Sequence, residues 1–260
     1  MKTTALITGA SGGIGMELAK IHASKGDHLV LVARNGKKLQ AIKSELESAH
    51  KINVLCIEKD LSVPGACDEV YTQVKEAGIH IQYLINNAGF GDFGFFHESD
   101  WTKTEQMMQL NMMALTRLTY LYSRDMVKQG SGKIMNVAST AAFQPGPTMA
   151  VYYATKAYVL HFSEALHNEL SDKGVTVTSL CPGPTESGFQ QAAAMEESKL
   201  VKGRKMPGSK EVAEFGYKAM MRGKAVAIHG MMNALMANAI RFTPRSLAVK
   251  TVRMLQDKAH

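Results

Sequence analysis

ALITGASGGIGMELAKIHASKG, residues 5–26, passes from a short apolar run through a cluster of glycines into an amphipathic stretch. That order reads as a buried strand, a glycine-rich turn and a helix. Gly9, Gly13 and Gly15 reach turn conformations closed to other residues and let backbone approach a ligand closely. The helix behind them aims its free N–H groups and positive dipole end at the turn, a ready anion site. The spacing is Gly-x-x-x-Gly-x-Gly, so the usual Gly-x-Gly-x-x-Gly dinucleotide fingerprint is absent. No Gly-Lys precedes Ser or Thr, which excludes a phosphate loop.

The same alternation continues along the chain. Apolar runs at Thr4–Thr8, Leu29–Ala33, Asn53–Glu58, Tyr83–Asn86, Lys133–Ala138, Val175–Leu180 and Ala225–His229 predict seven strands. Helical patterns fall between them at 13–25, 37–49, 65–77, 100–129, 150–172 and 209–222. The strands are continuous β-branched and leucine runs, as expected when helices cover both faces of a sheet. Right-handed crossovers then give an α/β, Rossmann-type, doubly wound, seven-stranded parallel sheet. A closed eight-stranded barrel would need one strand more. Residues 1–260 read as one domain, with 190–260 supplying a substrate loop, the last strand and a C-terminal helical extension.

In such a fold the first βα turn is where dinucleotide phosphates bind. An acidic residue about 20 positions on would accept from the adenosine ribose diol, but that region reads Ala33-Arg34-Asn35. Arg34 carries a planar donor fork that suits a phosphate and cannot act as that acceptor. The expected cofactor is NADP(H) rather than NAD(H).

Composition narrows the class. Three cysteines (Cys56, Cys67, Cys181) make no C-x-x-C pair, and an odd count argues against a disulfide framework. A reducing, cytoplasmic setting is expected. The start, MKTTALITGA, does not resemble a signal peptide. No stretch approaches the roughly 20 apolar residues that cross a bilayer. The net charge of +7 is uneven: residues 191–260 hold 13 Lys and Arg against 5 Asp and Glu, while 1–190 hold 17 against 18. The basic tail reads first as a solvated face; its sharper readings are contact with an anionic ligand, an acidic carrier or a lipid surface. Nucleic acid is not expected, because no binding motif or interleaved stacking aromatics are present. After the last strand, MMNALMANAIRF (231–242) carries Met231, Met232, Leu235, Met236, Ala239 and Ile240 at helical spacing, and a second helix starts at Pro244. That stripe predicts a helix packed on the body, or an adaptable wall for an apolar substrate.

Six motifs together resemble the short-chain dehydrogenase/reductase family. TGASGGIG (8–15) is similar to its Thr-Gly-x-x-x-Gly-x-Gly motif, and NNAG (86–89) to its strand-four signature. Asn111, Ser139, the pair Tyr152 and Lys156, and PGPTES (182–187) follow in the family's order. The motifs span residues 3 to about 190. The tail, with Arg-x-x-Pro at Arg241 to Pro244 between helices, looks like the ketoacyl-reductase and hydroxysteroid-dehydrogenase-like branch.

Helical spacing alone lets Lys156 face either Tyr152 (four apart) or Tyr153 (three apart). A neighbouring ammonium is expected to lower the phenol pKa from about 10. The resemblance selects Tyr152 as proton donor. It also implies that Lys156 bonds the nicotinamide ribose, Ser139 holds the substrate carbonyl and Asn111 supports a water-linked proton path. Tyr153 and Tyr158 are left as packing residues. The cofactor contacts implied are Gly9, Ser11, Gly13, Ile14, Gly15, Arg34, Asp60, Asn87, Gly89, Tyr152, Lys156, Thr185 and Ser187. No histidine has metal-ligand spacing, so no metal is expected. GFGDFGFF (89–96), FQPGPTM (143–149) and Phe189 predict an apolar pocket. The implied activity interconverts a ketone and a secondary alcohol on a ketoacyl, steroid or lipid-like substrate, in a homodimer or homotetramer. A non-catalytic NADP(H) sensor is the alternative.

Overall fold

The computed structural model describes residues 2–189, 193 and 206–256. The apolar runs form strands β1 (Thr4–Thr8), β2 (His28–Ala33), β3 (Val54–Glu58), β4 (Tyr83–Asn86), β5 (Gly132–Val137), β6 (Val175–Cys181) and β7 (Val226–Ile228). Helices α1 (Gly13–Ser24), α2 (Gly36–Ala49), α3 (Ala66–Glu76), α4 (Trp101–Met108), α5 (Leu115–Gln129) and α6 (Ala150–Ser171) connect them. After β6 come α7 (Ser209–Met221), α8 (Met231–Ala239) and α9 (Arg245–Gln256). The part of the expected substrate loop between 190 and 205 lies outside the described residues, apart from Ala193.

All seven strands are parallel, in the order β3-β2-β1-β4-β5-β6-β7. Alternate residues of each strand serve opposite faces. Ala5, Ile7, Leu29 and Leu31 pack with Leu18, Leu39 and Val212 of α1, α2 and α7. Leu6, Val30, Val32 and Leu84 pack with Val70, Leu118 and Met126 of α3 and α5. Leu6, Leu31 and Leu84 are fully buried, each such side chain contributing about 1.5–3 kcal/mol. The order reverses between β1 and β4, and ligands of open α/β sheets bind in the crevice beyond such a switch point.

The predicted helix at 100–129 is divided. Residues Gln109–Ala114 form a π-turn between α4 and α5. One extra residue per turn rotates a side chain out of the regular α-helical phase, and Asn111 lies in that turn. The reading of the methionine stripe as packed is overturned. Only Ala237 of α8 is buried, while Met231, Met232, Leu235 and Met236 are exposed.

Candidate active site

The glycine loop and the end of β4 hold each other at the switch point. Thr8 Oγ1 accepts from the backbone N–H groups of Asn87 and Ala88, both at 3.0 Å. The Asn87 amide donates to Thr8 O (3.0 Å) and Gly9 O (3.2 Å). Gly9 has φ 65°. A Cβ on Gly15 would lie 2.5 Å from both Asn87 Nδ2 and Gly9 O, so the loop closes only around a bare backbone. Asn87 thus grips the glycine loop from beneath. Ser11 is half-buried, and Ile14 packs on the core below. Gly13 faces Ser187, whose Cβ would be 3.5 Å from a Cβ placed there. Ser209 Oγ donates to Glu186 O (2.7 Å), tying the 182–189 segment beside the loop to the start of α7. Thr185 is buried and donates to Gly183 O at 2.9 Å.

Arg34 directly follows β2 with its side chain 76% exposed, and Nη1 is 3.9 Å from Asp60 Oδ2. Asn35 caps α2 by accepting from Lys38 N at 2.9 Å, which leaves Arg34 beside an open cleft of about 540 Å³ lined also by Lys37 and Glu58. Asp60 Oδ1 accepts from Ser62 N (2.9 Å) and Ser62 Oγ (2.7 Å). Its carboxylate is therefore oriented from within its own turn.

On the other side of the switch point, α6 brings Tyr152 and Lys156 inward. Tyr152 is buried, and Lys156 Nζ sits 5.8 Å from its ring centre. Lys156 Nζ donates to Val137 O at 2.7 Å, at the end of β5. Ser139, two residues further, accepts from Ala141 N at 3.1 Å, which fixes its hydroxyl. Burial pushes the Tyr152 phenol up to about 12, against a lowering contribution from the adjacent Ser139 hydroxyl. Burial also pulls the Lys156 ammonium down to about 8. The expected lowering of the phenol by Lys156 is therefore not found, because desolvation disfavours charge on both groups.

Asn111 is fully engaged. Its Oδ1 accepts from Phe90 N (3.1 Å), and its Nδ2 donates to Phe90 O (2.9 Å) and Thr155 Oγ1 (3.1 Å). Thr155 in turn donates to Tyr152 O at 2.7 Å. Gly89 lies between them; a Cβ there would be 2.9 Å from Asn111 Oδ1 and 3.5 Å from Lys156 Nζ. Sequence reading missed Thr155, Thr8 and a buried chain beneath the site. In that chain Asn86 donates to Thr119 (3.0 Å) and Asn136 (2.9 Å), and Asn136 donates to Ser163 (3.0 Å). Asparagine inside a strand is disfavoured, and that was the available signal for Asn86 and Asn136.

Tyr153 turns the other way. Its ring covers Gly146, and its hydroxyl accepts from Gln256 Nε2 at the end of α9. Tyr158 is one-third exposed, stacks on Phe162 and shares a 2.8 Å hydrogen bond with Thr116. Met149, Tyr152 and Val252 form one apolar cluster with Phe90, Phe93 and Phe189. Gly91 opens onto it, since a Cβ there would lie 3.0–3.2 Å from Phe189, Met149 and Tyr152.

A family model described as short chain dehydrogenase matches residues 3–198. A very-long-chain 3-oxoacyl-CoA reductase of Bos taurus is 32% identical over 185 residues, which are 68% of this chain and 58% of that protein. The chain thus spans little more than half of that relative. A short-chain dehydrogenase from Sphingobium yanoikuyae, solved in complex with NADPH, superposes with TM-score 0.83 at 31% identity over 98% of each chain. A bulky-bulky ketone specific alcohol dehydrogenase from Comamonas testosteroni superposes with TM-score 0.79 at 31% identity over 92% of each.

Proposed function

The chain belongs to the short-chain dehydrogenase family, and on that premise we propose that it is an NADP(H)-dependent oxidoreductase interconverting an apolar ketone and its secondary alcohol. The observation that carries this reading is the convergence of Tyr152, Lys156 and Ser139 beside the glycine loop, at the carboxyl ends of the central strands. The fit of a dinucleotide rests on this chain's own geometry. Gly9 and Gly15 let the loop close tightly on Asn87, which sets its backbone at the start of α1. The N-terminal N–H groups of α1 carry no side-chain cap and point at the loop. Gly9, Ser11, Gly13, Ile14, Gly15, Asn87, Gly89, Thr185 and Ser187 are proposed to hold the dinucleotide, with Arg34 taking a 2′-phosphate and Asp60 the adenine side. When bound, the nicotinamide supplies or accepts the hydride.

The chain's residues supply the rest. Tyr152 holds a proton at its hydroxyl for the carbonyl oxygen, and Ser139 donates a hydrogen bond to that same oxygen. Lys156 spends one donor on Val137 O and keeps two for the phenol and a ribose. Asn111 keeps the Phe90 turn and Thr155 in place, and so positions Tyr152. Two similar proteins are named for large carbonyl compounds: a very-long-chain 3-oxoacyl-CoA reductase and a bulky-bulky ketone specific alcohol dehydrogenase. Met149, Phe90, Phe93 and Phe189 beside Tyr152 support an apolar substrate of that class. Titration with NADPH and NADH, followed by turnover on a panel of bulky and acyl ketones, tests the reading. Turnover of hydrophobic ketones with NADPH is expected; binding of neither nucleotide refutes it.

A further inference from the structure

We propose that α8, α9 and the turn between them form a docking face for an anionic lipid surface. Among the described residues, no helix is long and apolar enough to cross a membrane, so the contact would be peripheral. A water-facing helix ordinarily carries a polar outer face. Here α8 presents Met231, Met232, Leu235 and Met236 outward, and the following turn presents Phe242. Met231 and Phe242 are 91% and 89% exposed, prongs that fluid acyl chains accept without a matching pocket. Leu247 and Met254 of α9 are also exposed, while Val252 and Gln256 of the same helix are buried and fasten it to the body.

Charge selects the occupant. Residues 230–256 contain Arg241, Arg245, Lys250 and Arg253 and no Asp or Glu. Arg241, Arg245 and Lys250 are exposed. Apolar side chains set among cations are the chemistry of a helix lying at the headgroup level of an anionic leaflet. A second copy fits poorly, because a two-fold contact would set this patch against itself and bring cations onto cations. The buried Val252 belongs to the cluster that holds Tyr152 and Met149, so a docked face would lie next to the candidate active site. The proposal stands on exposure and charge, independently of the reaction.

The test is sedimentation of the full chain with phosphatidylcholine vesicles, with and without about one-third phosphatidylserine, at low and high salt. Two triple variants accompany it: Met231→Ser with Met232→Ser and Leu235→Ser, and Arg241→Gln with Arg245→Gln and Lys250→Gln. Binding to the anionic vesicles alone, weakened by salt and about tenfold or more by either triple, is the expected result. Circular dichroism and the melting curve should be unchanged in both triples, since the altered side chains are exposed. Absence of vesicle binding, or equal binding to both vesicle types, overturns the proposal. So does a concentration-dependent dimer that the serine triple abolishes without any vesicle binding, and so does capture of an acidic acyl carrier protein in place of vesicles.

Discussion

The ammonium of Lys156 lies 5.8 Å from the centre of the Tyr152 ring and is tied to Val137 O at 2.7 Å. It faces the phenol without being spent on it. Burial moves the two pKa values apart, up to about 12 for Tyr152 and down to about 8 for Lys156. At neutral pH the phenol is protonated, the state a proton donor needs when a ketone is reduced.

The depressed lysine has a consequence for stability. Between the folded pKa of about 8 and the unfolded value of about 10.4, the unfolded chain binds the extra proton. Stability contributed through Lys156 therefore rises with pH in that window, by up to about 1.4 kcal/mol per unit. Above about pH 9 the opposing loss from the raised thiols of Cys67 and Cys181 begins, so the net rise is confined to pH 8–9. Urea unfolding of the wild type against Lys156→Met isolates it: the difference should shrink or reverse at low pH and grow as pH rises. A pH-independent difference contradicts the burial account.

Arg34 is exposed and only 3.9 Å from Asp60, so removing it should leave the fold intact. Arg34→Ser is expected to raise KM for NADPH about tenfold or more while leaving NADH nearly unchanged, as loss of a charge-assisted contact to phosphate predicts. Equal effects on both nucleotides would show that Arg34 reads something other than the phosphate.

Asn111 is 1% exposed and makes three hydrogen bonds, two of them to the backbone of Phe90. Asn111→Ala strands buried donors and acceptors, each worth about 1–3 kcal/mol. A loss of about 2–4 kcal/mol in denaturant unfolding is expected, with a fall in kcat larger than any rise in KM for the nucleotide.

Gly15→Ala would force a Cβ to within 2.5 Å of Asn87 Nδ2 and Gly9 O. The Asn87 grip on Thr8 O and Gly9 O must then open. NADPH affinity measured by calorimetry should fall about tenfold or more, with the far-ultraviolet spectrum preserved. Unchanged affinity would mean the loop does not cradle the nucleotide.

The sheet was legible because each strand is a local apolar run, and all seven appear within two residues of their expected ends. The π-turn at Gln109–Ala114 was not legible, since no glycine or proline interrupts 101–129 and the turn is set by how Asn111 packs against Phe90 and Thr155. Periodicity placed Met231, Met232, Leu235 and Met236 on one face but could not say whether anything covers it. That depends on where β7 leaves the sheet. Helical spacing allowed Lys156 to serve either tyrosine. The fold separates them, since the Tyr153 hydroxyl is bonded by Gln256 on α9.

The most direct measurement compares NADPH-dependent ketone reduction by the wild type, Tyr152→Phe and Tyr153→Phe. The expected result is loss of turnover by about a hundredfold or more in Tyr152→Phe, with NADPH binding intact. Tyr153→Phe should keep most activity and lose about 1 kcal/mol of stability through its bond to Gln256. Undiminished turnover in Tyr152→Phe, or collapse of turnover only in Tyr153→Phe, would contradict the assignment of Tyr152 as the proton donor.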